Sequence, residues 1–373
     1  MLTPIDLKLI SIAIIIFLLL GGCDRHEDQN KAQDQDQSSK VEASGTTEAK
    51  EVSEAPGSRD NRLNKVKSRG KLICGVNGQL PGFSAVNENG KYSGMDVDLC
   101  RAVAAALFDN PSQVEFRNLD TQNRFLAVQS GEVDLLSRNT TWTLSRDTSV
   151  GMEFAPTTFY DGQGLLVTNA SKIKDLEDLD GKSVCVLSGT TNEQNLAERM
   201  GKSGLSYTPI VFEDTDILYD AYEQGSCVAA TSDRSQLIAR RILLDKPNDH
   251  QVLEVVLSKE PLGPITVDDD SQWSDVVKWV VYAMIEAEEL GINSRNVASF
   301  AQSQDPEIRR FLGLEGNLGQ DMGLPNDFAQ RIVKHVGNYG EVYDRNLGQP
   351  FGLKRGLNAL WTDGGLMYAP PFR

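Results

Sequence analysis

Histidine is scarce in this sequence: three occur in 373 residues, and only His250 and His335 lie beyond the N-terminal region. Neither falls in the polar loops that carry the candidate site below. No G-x-S-x-G turn, H-E-x-x-H pair or paired C-x-x-C is present. Chemistry that depends on a histidine base, a serine elbow or a cysteine-held zinc therefore has no visible seat. Positive charge is short as well, with 37 Lys and Arg against 53 Asp and Glu and a formal net charge of −16. So acidic a chain is repelled by phosphate backbones, which argues against nucleic acid as a partner. The most apolar stretch, residues 9–20, "LISIAIIIFLLL", is twelve residues with one serine. A membrane span needs about 20.

What that stretch does fit is the apolar core of a secretory signal. It runs into Leu20-Gly21-Gly22-Cys23, which resembles the lipobox of bacterial lipoproteins, where small residues precede a cysteine that is lipidated after cleavage. The resemblance implies a signal peptide over 1–22 and a mature chain that starts at a lipidated Cys23. Residues 24–62 contain no aromatic residue and only two branched aliphatics, Val41 and Val52. Such a segment cannot bury enough apolar surface to offset its ordering entropy, so 23–62 is expected to be a disordered tether.

From residue 71 the pattern alternates strand and helix. "KLICGVN", "VEFRNL" and "VDLLSR" read as strands, and "MDVDLCRAVAAALF" and "NRFLAVQSG" as helices between them. The plan returns in "SVCVLSG", "TNEQNLAERMG", "YTPIVF", "DILYDAYEQG", "CVAATSD" and "RSQLIARRIL". Each half is βαβαβ, which predicts two α/β lobes with open, mainly parallel sheets. The boundaries fall at 63–163 for the first part of lobe I, 164–262 for lobe II, and 263–373 for the return to lobe I and a helical C-terminal extension. The crossings are expected in "FYDGQGLLV" and "SKEPLGPITV". The four remaining cysteines form two local pairs, Cys74 with Cys100 and Cys185 with Cys227, which suggests two disulfides in an oxidising compartment. Buried free thiols are the alternative. A 2-1-3 strand order would set Cys185 beside Cys227.

In such sheets ligands sit beyond the carboxyl ends of the strands. "SRNTTWTLSRD" (137–147) and "TSDRS" (231–235) occupy that place, one in each half. Hydroxyls, amides and arginines gathered there suit a zwitterion, whose carboxylate needs a cation and N–H donors while its ammonium needs an anion and acceptors. Arg146 offers a planar fork for a carboxylate. Asn139 and Thr141 offer main-chain groups, and Thr141 a hydroxyl. Thr190 and Glu193 are spaced as a capping box, so the N–H groups at that helix start, that of Thr191 above all, form an anion site. Asp233 ends the third strand of its half and suits an ammonium. Asn77 completes the set. No catalytic residue, metal site or cofactor is expected.

These segments carry a resemblance. "CGVNGQLPGFSAVNENGKYSGMDVDLCRAVAAALF", "LSRNTTWTLSRDTSVG", "YDGQG", "VCVLSGTTNEQNL", "KEPLGP", "AEELG", "VGNYGEVYDRNLG" and "GLNALW" are similar to the periplasmic solute-binding proteins of polar amino-acid ABC importers, in particular those for general L-amino acids. The resemblance implies the two-lobed periplasmic-binding-protein fold. It implies a free L-amino acid as ligand, an importer permease and, through it, an ATPase as partners, and a monomer. It puts the ligand carboxylate on Arg146, Thr141 and the Thr191 amide, and the ammonium on Asp233, Asn139 and Thr141. Leu80 stands where many relatives have an aromatic residue over the ligand side chain. Arg124 matches a position used by relatives that bind acidic amino acids. A periplasmic dehydratase resembles these proteins too, and an amino-acid sensor lobe is a second alternative.

Overall fold

The computed structural model describes residues 61–373, so the expected signal peptide, the Cys23 anchor and nearly all of the tether lie outside the described residues. Asn61 accepts the Asn64 N–H at 2.9 Å and caps helix α1 (Arg62–Arg69). The last two residues assigned to the tether by composition thus belong to the folded part.

Lobe I continues with β1 (Leu72–Val76), then a small antiparallel sheet of β2 (Gln79–Leu80), β3 (Ser84–Val86) and β4 (Tyr92–Ser93). Helix α2 (Met95–Phe108), β5 (Val114–Asn118), α3 (Arg124–Gln129), β6 (Leu135–Leu136), α4 (Leu144–Thr148) and β7 (Met152–Phe154) follow. The chain leaves through β8 (Phe159–Asp161). Lobe II holds β9 (Gln163–Thr168), β10 (Lys182–Leu187), α5 (Thr191–Lys202), β11 (Tyr207–Phe212), α6 (Thr215–Glu223), β12 (Ala229–Asp233), α7 (Arg234–Arg241) and β13 (His250–Val252). It returns through β14 (Glu260–Leu262) to β15 (Ile265–Val267) and α8 (Ser271–Glu289).

The sheet orders are β5-β1-β6-β15-β7 in lobe I and β11-β10-β12-β9-β13 in lobe II. The first three strands of each are parallel in the expected 2-1-3 order. Antiparallel strands that the sequence pattern had not shown widen both sheets, β15 and β7 in one and β9 and β13 in the other. A strand covered by helices on both faces reads as a continuous apolar run, and β1, "LICGV", is almost wholly buried. Cys74 joins Cys100 across β1 and α2, and Cys185 joins Cys227 in lobe II, with Cα separations of 6.3 and 5.7 Å. Each bridge stays within one lobe.

Strands β8 and β14 pair antiparallel, with Asp161 opposite Glu260 and Tyr160 opposite Pro261. This ribbon is the crossing between the lobes. The C-terminal residues pack on lobe I, where helix Phe328–His335 covers α2 and α8. They also reach the crossing. Tyr339 donates its hydroxyl to Thr158 O at 2.8 Å, and the Asn358 side chain bonds both main-chain groups of Tyr160 at 2.6 and 3.0 Å. Among the described residues no helix is long and apolar enough to cross a membrane.

Candidate binding cleft

The carboxyl ends of the parallel strands face each other across a cavity of about 580 Å³, counted to its open mouth. All eight sequence-derived binding residues, Asn77, Arg124, Asn139, Thr141, Arg146, Thr190, Thr191 and Asp233, line it.

On the lobe I side, Thr143 caps α4 by accepting the Arg146 N–H at 3.3 Å, which puts Arg146 in the first turn of that helix. Its guanidinium donates to Thr141 O at 2.7 Å and is nearly buried. Arg124 is no surface residue: it is 3 % exposed, stacks its guanidinium on Phe125 at 4.8 Å and bonds Gly189 O across the cleft at 3.3 Å. Its Nε is buried without a hydrogen-bond partner. Arg138, which stands in the loop "SRNTTWTLSRD" but had no assigned role, lines the same wall and donates to Leu119 O at 2.7 Å. Burial first, and then the neighbouring Arg138 and Arg146, push Arg124 well below the usual guanidinium range. Burial likewise brings Arg138 down to about 10. A wall of clustered guanidiniums attracts negative charge.

Asn139 takes a left-handed backbone conformation, φ 39°, and its N–H goes to Asp96 Oδ2 at 2.9 Å. That main-chain donor is therefore spent within the protein, and what the Asn139 main chain has to lend an ammonium is its carbonyl oxygen. Its side-chain Oδ1 is the atom left buried without a partner. Asp96 also accepts the Ser137 hydroxyl at 3.1 Å, and burial raises it to about 6.

On the lobe II side the anion site at α5 forms with a variation. Thr190 accepts the Glu193 N–H at 3.3 Å, but the Glu193 carboxylate turns back to the Gly189 N–H at 3.1 Å, not to that of Thr190. Half of the expected capping box is thus present. The first-turn amides of a helix have no intrahelical acceptor, so they point at the cavity as donors. Gly189 needs its freedom for φ +70°, in the left-handed region.

Asp233 occupies the N-cap position of α7 yet makes no cap bond. A capping aspartate ordinarily accepts an N–H of the first turn. Here Asp161, from β8, does so instead, taking the Ser235 N–H at 3.2 Å and the Ser235 hydroxyl. The substitution frees Asp233 to face the cavity, oriented by Asn192 Nδ2 at 2.9 Å and Gln236 Nε2 at 2.7 Å on its separate oxygens. Burial, together with Asp161 and Glu260 nearby, pushes Asp233 well above the carboxylate range. Burial also lifts Asp161 to about 6 against its hydrogen bonds from Ser235 and Gly162. A cation beside Asp233 would relieve this pressure.

Leu80 is buried in the lining as the sequence placed it, while an aromatic ring comes from the other lobe: Tyr219, 5 % exposed, with Arg240 over its face at 4.6 Å. The lobes touch around the cavity. Thr121 donates to Ser188 O at 2.8 Å, and Gln79 bonds Asp214 and Asp216, both at 3.0 Å. Sequence reasoning missed Asp161, Glu260, Arg138 and Tyr219. Nothing local to "YDGQG" or "KEPLG" sets the first two apart from ordinary surface acids.

A family model for "Bacterial extracellular solute-binding proteins, family 3" matches residues 72–310. The chain belongs to that family. Among its relatives, the "General L-amino acid-binding periplasmic protein AapJ" of Rhizobium johnstonii is 48 % identical over 83 % of this chain and 92 % of its own length. The "Glutamate/glutamine/aspartate/asparagine-binding protein BztA" of Rhodobacter capsulatus is 47 % identical over 83 % of this chain and 93 % of its own. A solved family structure, the ABC transporter periplasmic binding protein from Brucella ovis with glutathione bound, is 46 % identical, with a TM-score of 0.82 over 84 % of this chain and 99 % of that one. The family model stops at residue 310, but this structural match reaches into the C-terminal extension.

Proposed function

We propose that this chain is the extracytoplasmic binding subunit of an ABC importer and that it captures free L-amino acids, those with acidic or amide side chains first. The observation that carries the ligand class is the division of charge across the cleft. Arg124, Arg138 and Arg146 line one wall, and Asp233 is the carboxylate in the lining opposite. An amino acid's carboxylate fits Arg146 and the α5 amides, and its ammonium fits Asp233. Two guanidiniums remain, Arg124 and Arg138, and a second carboxylate on the side chain matches them through charge-assisted bonds. A neutral side chain can leave water beside them, whereas Lys or Arg meets like charge. The names of the relatives AapJ and BztA support the same ligand class.

The protein acts by binding and delivery to the permease, without turnover. His250 is engaged with the Tyr222 hydroxyl at 2.8 Å and His335 with Asp109 at 2.7 Å, so neither serves the cleft as a base. The mature chain is a monomer tethered through lipidated Cys23. Calorimetric titration of the full chain with single amino acids tests the ligand class. Glutamate, aspartate and their amides are expected to bind tightest, alanine more weakly, and lysine and arginine weakest. Tightest binding by lysine or arginine, or none by any amino acid, would refute the proposal. Glutathione belongs in the same series, because its glutamyl end presents the same α-amino and α-carboxyl groups.

A further inference from the structure

A hydroxyl can serve a ligand as donor or acceptor, and its other partner decides which. Thr141 of lobe I donates its hydroxyl to Glu260 Oε2 at 2.6 Å. Thr191, the first residue of α5 in lobe II, donates to the same oxygen at 2.8 Å. The other carboxyl oxygen accepts Asn195 Nδ2 at 2.8 Å and the Ser258 hydroxyl. Glu260 is 1 % exposed and sits in β14, so one buried carboxylate ties the crossing strand to both lobes. An ionised carboxyl group has acceptors only. Both threonine protons therefore point at it, and the 3.3 Å between the two threonine oxygens holds no proton. What these hydroxyls can offer a ligand is lone pairs.

We infer that Glu260 is a positioning residue that fixes the Thr141 and Thr191 hydroxyls as acceptors, so that with Asp233 they bind the ligand's ammonium and not its carboxylate. This rests on the amino-acid ligand proposed above. An ammonium carries three protons and accepts nothing, and the arrangement gives it one acceptor from each of three separate elements. The carboxylate is left to Arg146 and the α5 amides, which are donors only. The family resemblance gives Thr141 a share in both ligand charges, and on this reading its hydroxyl serves the ammonium.

The test compares L-glutamate with glutarate, the same chain without the amino group, on the full chain and its Glu260→Met variant. Methionine has a similar length and offers at most a weak sulfur acceptor, so the two threonine hydroxyls lose their common acceptor and at least one proton turns toward the cavity. L-Glutamate binding is expected to weaken about 10- to 100-fold, the worth of hydrogen bonds to a charged group. Glutarate, read by competition, should change little, so the preference for the amine collapses. Equal weakening of both ligands would show that Glu260 merely supports the fold and would overturn the inference, as would unchanged glutamate binding. Should Glu260→Met fail to fold, Thr191→Val and Thr191→Ser decide: valine should repeat the selective loss and serine restore the preference, and an equal loss of both ligands in Thr191→Val refutes the role. Failure of the unsubstituted chain to bind L-glutamate would instead count against the proposed function.

Discussion

Replacing Arg124 with methionine keeps most of the side-chain volume and removes one charge from the cleft wall. In the empty protein that charge is poorly compensated. It is 3 % exposed, its hydrogen bond to Gly189 O is 3.3 Å long, its Nε has no partner, and Arg138 and Arg146 stand beside it. Removing it should therefore leave the empty protein no less stable, because an unpaired buried charge is a cost. For bound glutamate the balance reverses. Loss of the partner to a buried carboxylate costs about 2–5 kcal/mol, and each 1.4 kcal/mol is tenfold in affinity. Arg138 remains, and the guanidinium cluster loses some repulsion, so the low end applies, at about 30- to 100-fold. Alanine has no side-chain carboxylate to strand. It should feel only the lost bond between the lobes, about 0.5–1.5 kcal/mol or roughly a 2- to 10-fold weakening. Calorimetry with both ligands measures the difference, and melting of the empty variant measures the first claim. If glutamate and alanine weaken by the same factor, Arg124 does not read the side chain.

Arg146→Ala or Asp233→Ala strands one of the two α-group charges, so every amino acid should weaken, by about 30-fold or more; normal affinity in either variant would remove that residue from the clamp. Asp233 is raised by burial in the empty cleft, and a bound ammonium favours its ionised form. Below that raised value binding should therefore release protons and affinity should rise with pH; a binding enthalpy there that is indifferent to the buffer's ionisation enthalpy contradicts this. A non-reduced digest should return Cys74–Cys100 and Cys185–Cys227 peptides, and a bridge between the lobes would be inconsistent with a hinge. Radioactive palmitate should label the full chain but not its Cys23→Ala variant.

Much of the fold was legible because short strands alternate with segments of helical period. "MDVDLCRAVAAALF" is α2 from first residue to last. Three of the four antiparallel strands that widen the sheets escaped notice for a physical reason, while the fourth, β9, is six residues long and overlaps the segment read as a crossing. β7, β13 and β15 are three residues long, too short to show a period, and they gain their identity from neighbours distant in sequence. The cleft was legible through residues that expose unusual chemistry at strand ends, such as Arg146 and Asp233. Partners that act one step removed were not. Asp161 caps α7 from a strand more than seventy positions away, and nothing local to "YDGQG" announces it.

The hydrogen bonds also locate the division between the lobes more finely than alternation of strand and helix could. On the outgoing strand, Tyr160 is fixed to lobe I, since Asn358 holds both its N–H and its C=O. Its neighbour Asp161 belongs to lobe II, because its carboxylate caps α7. On the returning strand, Pro261 accepts the Trp142 N–H at 2.8 Å and Leu262 accepts that of Thr158 at 2.8 Å, both from lobe I. Glu260 precedes them and carries Thr191 and Asn195 of lobe II on its carboxylate. Tyr160 pairs with Pro261 and Asp161 with Glu260, so the division crosses the two-stranded ribbon in a straight line. Hinges in proteins that close around a ligand are a few residues at element ends. Here the C-terminal extension fixes one side of that line through Asn358 and Tyr339, and the two acids mark the other. Of the two acids, Glu260 bonds across it, to Thr141, so the residue at the pivot also touches the threonines of both clamp halves.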